Sequence, residues 1–147
     1  MKGLIIITSV CHGNTEKVAR AMAEAINADV IESANVNLET LDNYDIIGFG
    51  SGIIHGKHHN SIFSLIEKIN TGKGKKAFVF STGGQGKAAS NEAAKDALVQ
   101  KGFEVIGSFA CKGYDTYGPF KLIGGIAKGK PDDNDLANAK EFAKSLE

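Results

Sequence analysis

Aliphatic runs and helical stripes alternate along the whole chain. GLIIITS (3–9) is a continuous apolar run, as expected of a strand buried on both faces. Val18, Ala19, Met22, Ala23 and Ile26 then recur at helical spacing and predict a helix of about 14 residues. ADVIES (28–33) predicts a short second strand and DIIGFGS (45–51) a third. Ile62, Leu65, Ile66 and Ile69 mark a second helix, closed by Gly72. KAFVFST (76–82) predicts a fourth strand. Ala89, Ala93, Ala94, Ala97 and Leu98 mark a third helix, closed by Gly102. FEVIGSFAC (103–111) alternates more than the other runs, which suits an edge strand. Pro131 and Asp132 open a last helix with the apolar face Leu136, Ala139, Phe142, Ala143 and Leu146.

This alternation predicts an α/β fold, a doubly wound five-stranded parallel sheet in the order 2-1-3-4-5 with helices on both faces. In that order ligands bind at the carboxyl ends of the strands beside the switch point, between strands 1 and 3 with strand 4 next door. The chain is enriched there in small and polar residues: SVCHGNT (9–15), GSGIIHGKHH (50–59) and STGGQG (81–86). Turns take glycine for their own reasons, but three such junctions at one end of one sheet point to a ligand. At the first, a helix N-terminus offers unpaired N–H groups and partial positive charge, which suits a phosphate. Gly13 permits close backbone approach, and Ser9, Asn14 and Thr15 carry groups that hydrogen-bond. Lys17, one turn in, reads as a solvated helix residue or as a ligand contact. The connection KGYDTYGPFKLIGGIAKGKPDD (112–133) has no clear period, and loops of that length are usually functional or mobile.

Composition narrows the field. The 147 residues suit one domain, 1–147, with an ordinary globular balance of 42% hydrophobic and 23% charged residues. Lys plus Arg equals Asp plus Glu at 17 each, so net charge makes no case for nucleic acid or an anionic membrane. Arg20 is the only arginine. Cys11 and Cys111 form neither a disulfide framework nor a zinc spacing, which favours a reducing, cytoplasmic setting. The run LIIIT is too short for a signal peptide or a membrane span.

The segment HGNTEKVARAMAEAI resembles the phosphate loop and first helix of the flavodoxin family, proteins that bind FMN. DIIGFGSGIIHG resembles that family's third strand and the loop over one flavin face, and VFSTGGQG resembles the loop on the other. The order of elements agrees over most of the chain. The resemblance implies a flavodoxin-like fold holding one noncovalent FMN. Ser9, Val10, Cys11, His12, Gly13, Asn14 and Thr15 would surround its phosphate, mainly through backbone N–H groups. Ser51, Gly52, Ile53, Ile54, His55 and Gly56 would line the isoalloxazine. Ser81, Thr82, Gly83 and Gly84 would lie against it from the strand-4 side. Tyr114 and Tyr117 would close over the ring edge, or else be plain surface. The chain departs from the family pattern in four respects. Val10 and His12 stand where hydroxyl residues are favoured, so the phosphate leans on backbone. Gly52 stands where proline is frequent. Ile53 and Ile54 stand where an aromatic often stacks, which implies weaker stacking. The chain is neutral where many flavodoxins are strongly acidic.

His12, His55, His58 and His59 all fall in the two loops expected to meet the ligand. Three readings are open: chance clustering, a zinc or nickel site in HGKHH that lacks an acid or thiol at metal spacing, or imidazoles that stabilise negative charge on the reduced flavin. The last implies a less negative, pH-dependent potential. Cys11 supports a rival, because VCHGN also resembles the loop of low-molecular-weight tyrosine phosphatases, which carry Cys-x5-Arg-Ser/Thr after strand 1. Here Lys17 and Val18 stand at the arginine and hydroxyl positions, and lysine does not replace the guanidinium fork. Rossmann and P-loop glycine motifs are missing after strand 1, and a receiver's acidic strand ends are replaced by Thr8-Ser9 and Gly50-Ser51. Within flavoproteins, an electron carrier between redox partner proteins, monomeric or weakly dimeric, is favoured over an FMN-dependent NAD(P)H or quinone oxidoreductase. The flanking loops are short and no second nucleotide motif is visible.

Overall fold

Five parallel strands line up as expected in the computed structural model, which describes residues 1–9, 13–114 and 125–147. They are β1 (Gly3–Thr8), β2 (Asp29–Glu32), β3 (Ile46–Ile54), β5 (Lys76–Gly83) and β6 (Glu104–Lys112), in the spatial order β2-β1-β3-β5-β6. This is the order 2-1-3-4-5 once β4 (Lys57–His58), a two-residue strand antiparallel to the end of β3, is set aside. All six residues of β1 are buried, as a continuous aliphatic run at the centre of a parallel sheet requires. At the edge, β6 buries only Cys111, which explains its more alternating sequence.

Two helix pairs cover the sheet. On one face α1 (Asn14–Ile26) and α4 (Asp133–Ser145) set Val18, Met22, Ala139 and Ala143 against Ile5, Ile7, Phe78 and Phe80. On the other, α2 (Asn60–Lys68) and α3 (Glu92–Gln100) set Ile62, Ile66, Ala94 and Leu98 against Ile6, Ile47, Phe49 and Val79. The alternation along β5 sends Phe78 and Phe80 to the first face and Ala77 and Val79 to the second. A capping box between Asp132 and Asp135 starts α4, as the Pro-Asp signal predicts. The third helix is shorter than its alanine pattern implies. Residues Ala88–Asn91 form a 3-10 turn, and Ala89 and Ala93 are exposed.

Two glycines of β3 serve packing rather than a turn. Gly48 and Gly50 pair in register with Phe78 and Phe80, whose rings lie over them. A Cβ on Gly48 would come within 2.3 Å of the Phe78 ring, and one on Gly50 within 2.2 Å of the Phe80 ring. Burial pushes the Cys111 thiol up to about 12, with nearby Asp135 adding to the effect, so it packs as a small apolar residue.

Candidate functional site

The carboxyl ends of the three central strands carry one row of hydroxyls. Thr8, Ser51 and Ser81 are register partners across β1, β3 and β5, and each is buried. Short polar side chains are tolerated in such a layer where they find a nearby partner, as Thr8 and Ser51 do. Ser51 Oγ donates to the Gly52 carbonyl (2.8 Å) and accepts from the His59 N–H (3.0 Å). Thr8 Oγ1 bonds Ser33 Oγ (2.7 Å) and Ser61 Oγ. Ser61 Oγ in turn meets His59 Nδ1 (2.9 Å). Reading the junctions one at a time missed this chain of Ser33, Thr8, Ser61 and His59. Hydroxyls on separate elements have no local spacing that marks them.

The first junction is a helix start with glycine at its N-cap. Gly13 sits in the left-handed region at φ 67° and makes no side-chain cap to α1. A Cβ there would meet no atom within 4 Å. Ser9 Oγ accepts from the Glu16 N–H at 3.3 Å. Thr15 turns inward and its hydroxyl bonds Thr82 Oγ1 at 2.9 Å, joining the first junction to the third. The Asn14 side chain points away from the helix start. Its Nδ2 donates to the Tyr114 carbonyl at 2.8 Å, and it packs on Gly113, where a Cβ would come within 2.7 Å of Nδ2. Asn14 Oδ1 is left as a buried acceptor with no partner. Tyr114 is also held from behind, its N–H donating to the Lys130 carbonyl at 2.9 Å. Lys130 forms ion pairs with Asp132 (2.7 Å) and Asp135 (3.3 Å) at the start of α4. The return end of the 112–133 connection is thereby tied to the helix that follows it. Val10, Cys11, His12 and Tyr117, placed at the site from sequence, lie outside the described residues. Lys17 is exposed and Val18 is packed in the core.

The second junction, a short loop in the sequence reading, is a hairpin. β3 continues through Ile54, Ile53 pairs with His58, and Ile54 pairs with Lys57. The two turn residues, His55 and Gly56, both have positive φ, 52° and 80°. That is the requirement of a tight two-residue hairpin turn. Histidine is among the side chains that enter this region most readily. At the third junction Gly83 ends β5, and its carbonyl accepts from the N–H groups of Gly86 (3.1 Å) and Gly113 (3.0 Å). A Cβ on Gly83 would lie 3.3 Å from Ile53 Cβ, so the second and third junctions touch at that point. Ser81 and Thr82 are buried, while Gly83 and Gly84 are partly exposed. A separate groove of about 750 Å³ runs along α1 and α4 behind Gly13 and belongs to the helical face, not to the meeting of the three junctions.

The three described histidines do not act as one cluster. His58 is 2% exposed and its Nε2 bonds the Phe80 carbonyl at 2.8 Å. Burial lowers its pKa, against the Phe80 and Ser90 backbone groups, which favour the charged ring. His59 caps α2, its Nδ1 accepting from the Ser61 N–H at 3.1 Å. His55 stands exposed in the hairpin turn. Alternation along the strand sends His58 inward while Lys57 beside it faces out. Among the described residues, no three His, Cys, Asp or Glu side chains are grouped to hold a metal ion.

Buried, neutral His58 makes stability depend on pH. An unfolded imidazole takes its proton near pH 6.5, whereas the folded one does so only at lower pH. The stability it contributes is present above that unfolded value and is lost as pH falls through the folded one. Between pH 7.5 and 5.5 the loss from this residue has an upper limit of about 1.4 kcal/mol, set by the unfolded imidazole alone. Urea unfolding of His58→Gln checks this: its acid-induced loss should be smaller than that of the parent, whatever its stability at pH 7.5. An equal loss would assign the effect to other groups.

Comparisons with known proteins agree with the fold. The flavodoxin domain family matches residues 5–121. An uncharacterized protein of Methanocaldococcus jannaschii is 50% identical over 148 residues, spanning 99% of this chain and 98% of its own. The solved structure of an archaeal flavodoxin superposes with a TM-score of 0.76 at 21% identity, covering 99% of this chain and 96% of that one. Fusobacterium nucleatum flavodoxin bound to flavin mononucleotide superposes at 0.68 with 13% identity, covering 99% and 97%. At these identities the superpositions establish the fold. Among the described residues, no helix is long and apolar enough to cross a membrane.

Proposed function

The chain belongs to the flavodoxin family, and from that premise we propose that it binds one FMN noncovalently and carries electrons between redox partner proteins in the cytosol. The observation that supports this most is the start of α1, where the N-cap Gly13 is open and makes no side-chain cap, set beside the meeting of the other two junctions. A helix start with an open glycine suits a phosphate. The N–H groups of Gly13, Asn14 and Thr15 would hold it, with the Ser9 hydroxyl beside them. Asn14 Oδ1 is a buried acceptor without a partner. It does not suit a phosphate oxygen, but it suits a hydroxyl of the ribityl chain. The backbones of Gly52 and Gly83–Gly84 lack side chains that would bar a flat ring, and Ile53 supplies apolar surface between them.

Bound FMN would supply reversible uptake of one or two electrons. The protein's part is to bind, orient and shield it. Thr15 and Thr82 lock the phosphate loop to the end of β5, and Ser51 holds the hairpin shut through the His59 N–H. With His58 buried in the core, any cationic influence of the histidines on the potential falls to those outside it, His55 foremost. The carrier reading is preferred to a reductase because, among the described residues, the hairpin turn and the 83–86 turn are both tight and offer little wall for a second nucleotide.

The test uses FMN-loaded protein reduced with dithionite in the absence of oxygen. The carrier reading expects it to pass electrons to hexacyanoferrate(III) while oxidising NADH and NADPH no faster than free FMN does. Sustained NADPH oxidation well above that background would make it a reductase. Hydrolysis of an aryl phosphate, lost in Cys11→Ser, would favour the phosphatase reading of the first loop.

A further inference from the structure

The chain is neutral overall, but its charges are not evenly spread. Segments 3–15, 52–66, 77–91 and 105–114 supply the central strand ends and the turns that follow them, and none contains Asp or Glu. The charged residues they do contain are Lys57, Lys87 and Lys112, beside His12, His55, His58 and His59. The opposite end of the sheet is mixed: Asp29, Asp45 and Glu104 stand at the strand starts among Lys2, Lys75 and Lys76. All seventeen acids therefore lie outside these segments, and Glu16, Glu67, Glu92, Glu104 and Asp115 directly adjoin them.

The three lysines form one rim. Lys57 lies on β4, which packs against the turn Ala88–Asn91 directly after Lys87. β6 packs against the same turn, and Lys112 is its last residue. A Cβ on Gly86, next to Lys87, would lie 3.0 Å from the Lys112 backbone nitrogen. All three lysines are exposed, and among the described residues none of them is in an ion pair. Exposed His55 extends the rim at the hairpin turn.

We propose that this rim, Lys57, Lys87 and Lys112 with His55, is a docking surface for an acidic patch on a partner redox protein. The proposal rests on the flavin-carrier reading, since it places the partner over the end of the sheet where the flavin would sit. Charge complementarity names the partner's chemistry. Three exposed lysines in no ion pair steer an anionic surface, speed its encounter and repel basic partners. A nucleic acid is the weaker occupant, because the rim holds no arginine for bidentate phosphate contacts.

The experiment measures fluorescence anisotropy of a labelled glutamate-rich peptide mixed with the protein, flavin-free and FMN-loaded. A lysine-rich peptide and a single-stranded oligonucleotide of equal length are compared. The account expects the acidic peptide to bind preferentially, and to bind at least about tenfold more weakly when salt is raised from about 20 to 200 mM. It expects a loss of at least about tenfold in the combined Lys57→Glu, Lys87→Glu, Lys112→Glu variant. The same charge change at the other end of the sheet, Lys68→Glu, Lys73→Glu and Lys76→Glu, should leave peptide binding nearly unchanged. Circular dichroism and FMN titration confirm that each variant is folded and loaded. Equal losses in the two triple variants, preference for the lysine-rich peptide, or tighter binding of the oligonucleotide would each overturn the proposal. FMN binding without peptide preference would sink the docking surface alone. Peptide preference without FMN binding would sink the flavin reading alone.

Discussion

Gly13→Asp is expected to cost the protein its flavin and little of its stability. Gly13 sits at φ 67° with no atom within 4 Å of a Cβ, so the new side chain meets no clash. Aspartate tolerates the left-handed region better than most residues, and a negative charge at a helix start is favourable in itself. The apoprotein should therefore unfold in urea within about 1 kcal/mol of the parent. A carboxylate beside a bound phosphate is another matter. At an effective dielectric near 20, like charges a few ångströms apart repel by about 3 kcal/mol, roughly a hundredfold in affinity. FMN titration of the apoprotein, followed by quenching of flavin fluorescence, checks both halves. A variant that keeps parental FMN affinity would remove the phosphate from the start of α1.

The second large effect is on the fold itself. Gly50→Ala would drive a methyl group to within 2.2 Å of the Phe80 ring in a fully buried layer. The ring is hemmed in by its stacked neighbour Phe78, with centroids 6.1 Å apart, and has little room to swing away. Overpacking of this kind costs about 3 kcal/mol, more if the strand shifts. Denaturant unfolding should show that loss. Truncating the ring removes the clash, so Gly50→Ala combined with Phe80→Leu should cost clearly less than the two single changes summed. Additive losses would mean that the ring does not make the glycine necessary.

These two glycines show where the sequence is legible and where it is not. Gly13 is readable because it stands between a buried strand and an amphipathic helix, a setting that by itself implies a loop and a helix start. Gly50 stands at the head of an equally glycine-rich stretch, GSGIIHG, and from sequence it belongs to the second junction. Its role depends on Phe80, thirty residues away on a neighbouring strand, and only the register of β3 with β5 brings the two together. The sheet order, both helix layers and the edge position of β6 are legible because continuous apolar runs and helical stripes are local signals. The hairpin is not, since His-Gly is a weaker turn signal than Asn-Gly or Asp-Gly. Nor are the separate fates of His55, His58 and His59. A short antiparallel strand and a helix start divide neighbours among solvent, core and cap. Asn14 and Thr15 stand at the start of α1. Their side chains are already engaged by Tyr114 and Thr82, which lie 100 and 67 residues away. That commitment needs the whole fold to be assembled.

The central claim is that the start of α1 binds the phosphate of a flavin nucleotide. The most direct measurement compares the affinity of the apoprotein for FMN and for riboflavin, which lacks only the phosphate, by fluorescence quenching under identical conditions. The account predicts FMN binding at least about a hundredfold tighter than riboflavin, the contribution of two or three charge-assisted hydrogen bonds. Equal affinities, or no binding of either, would contradict it.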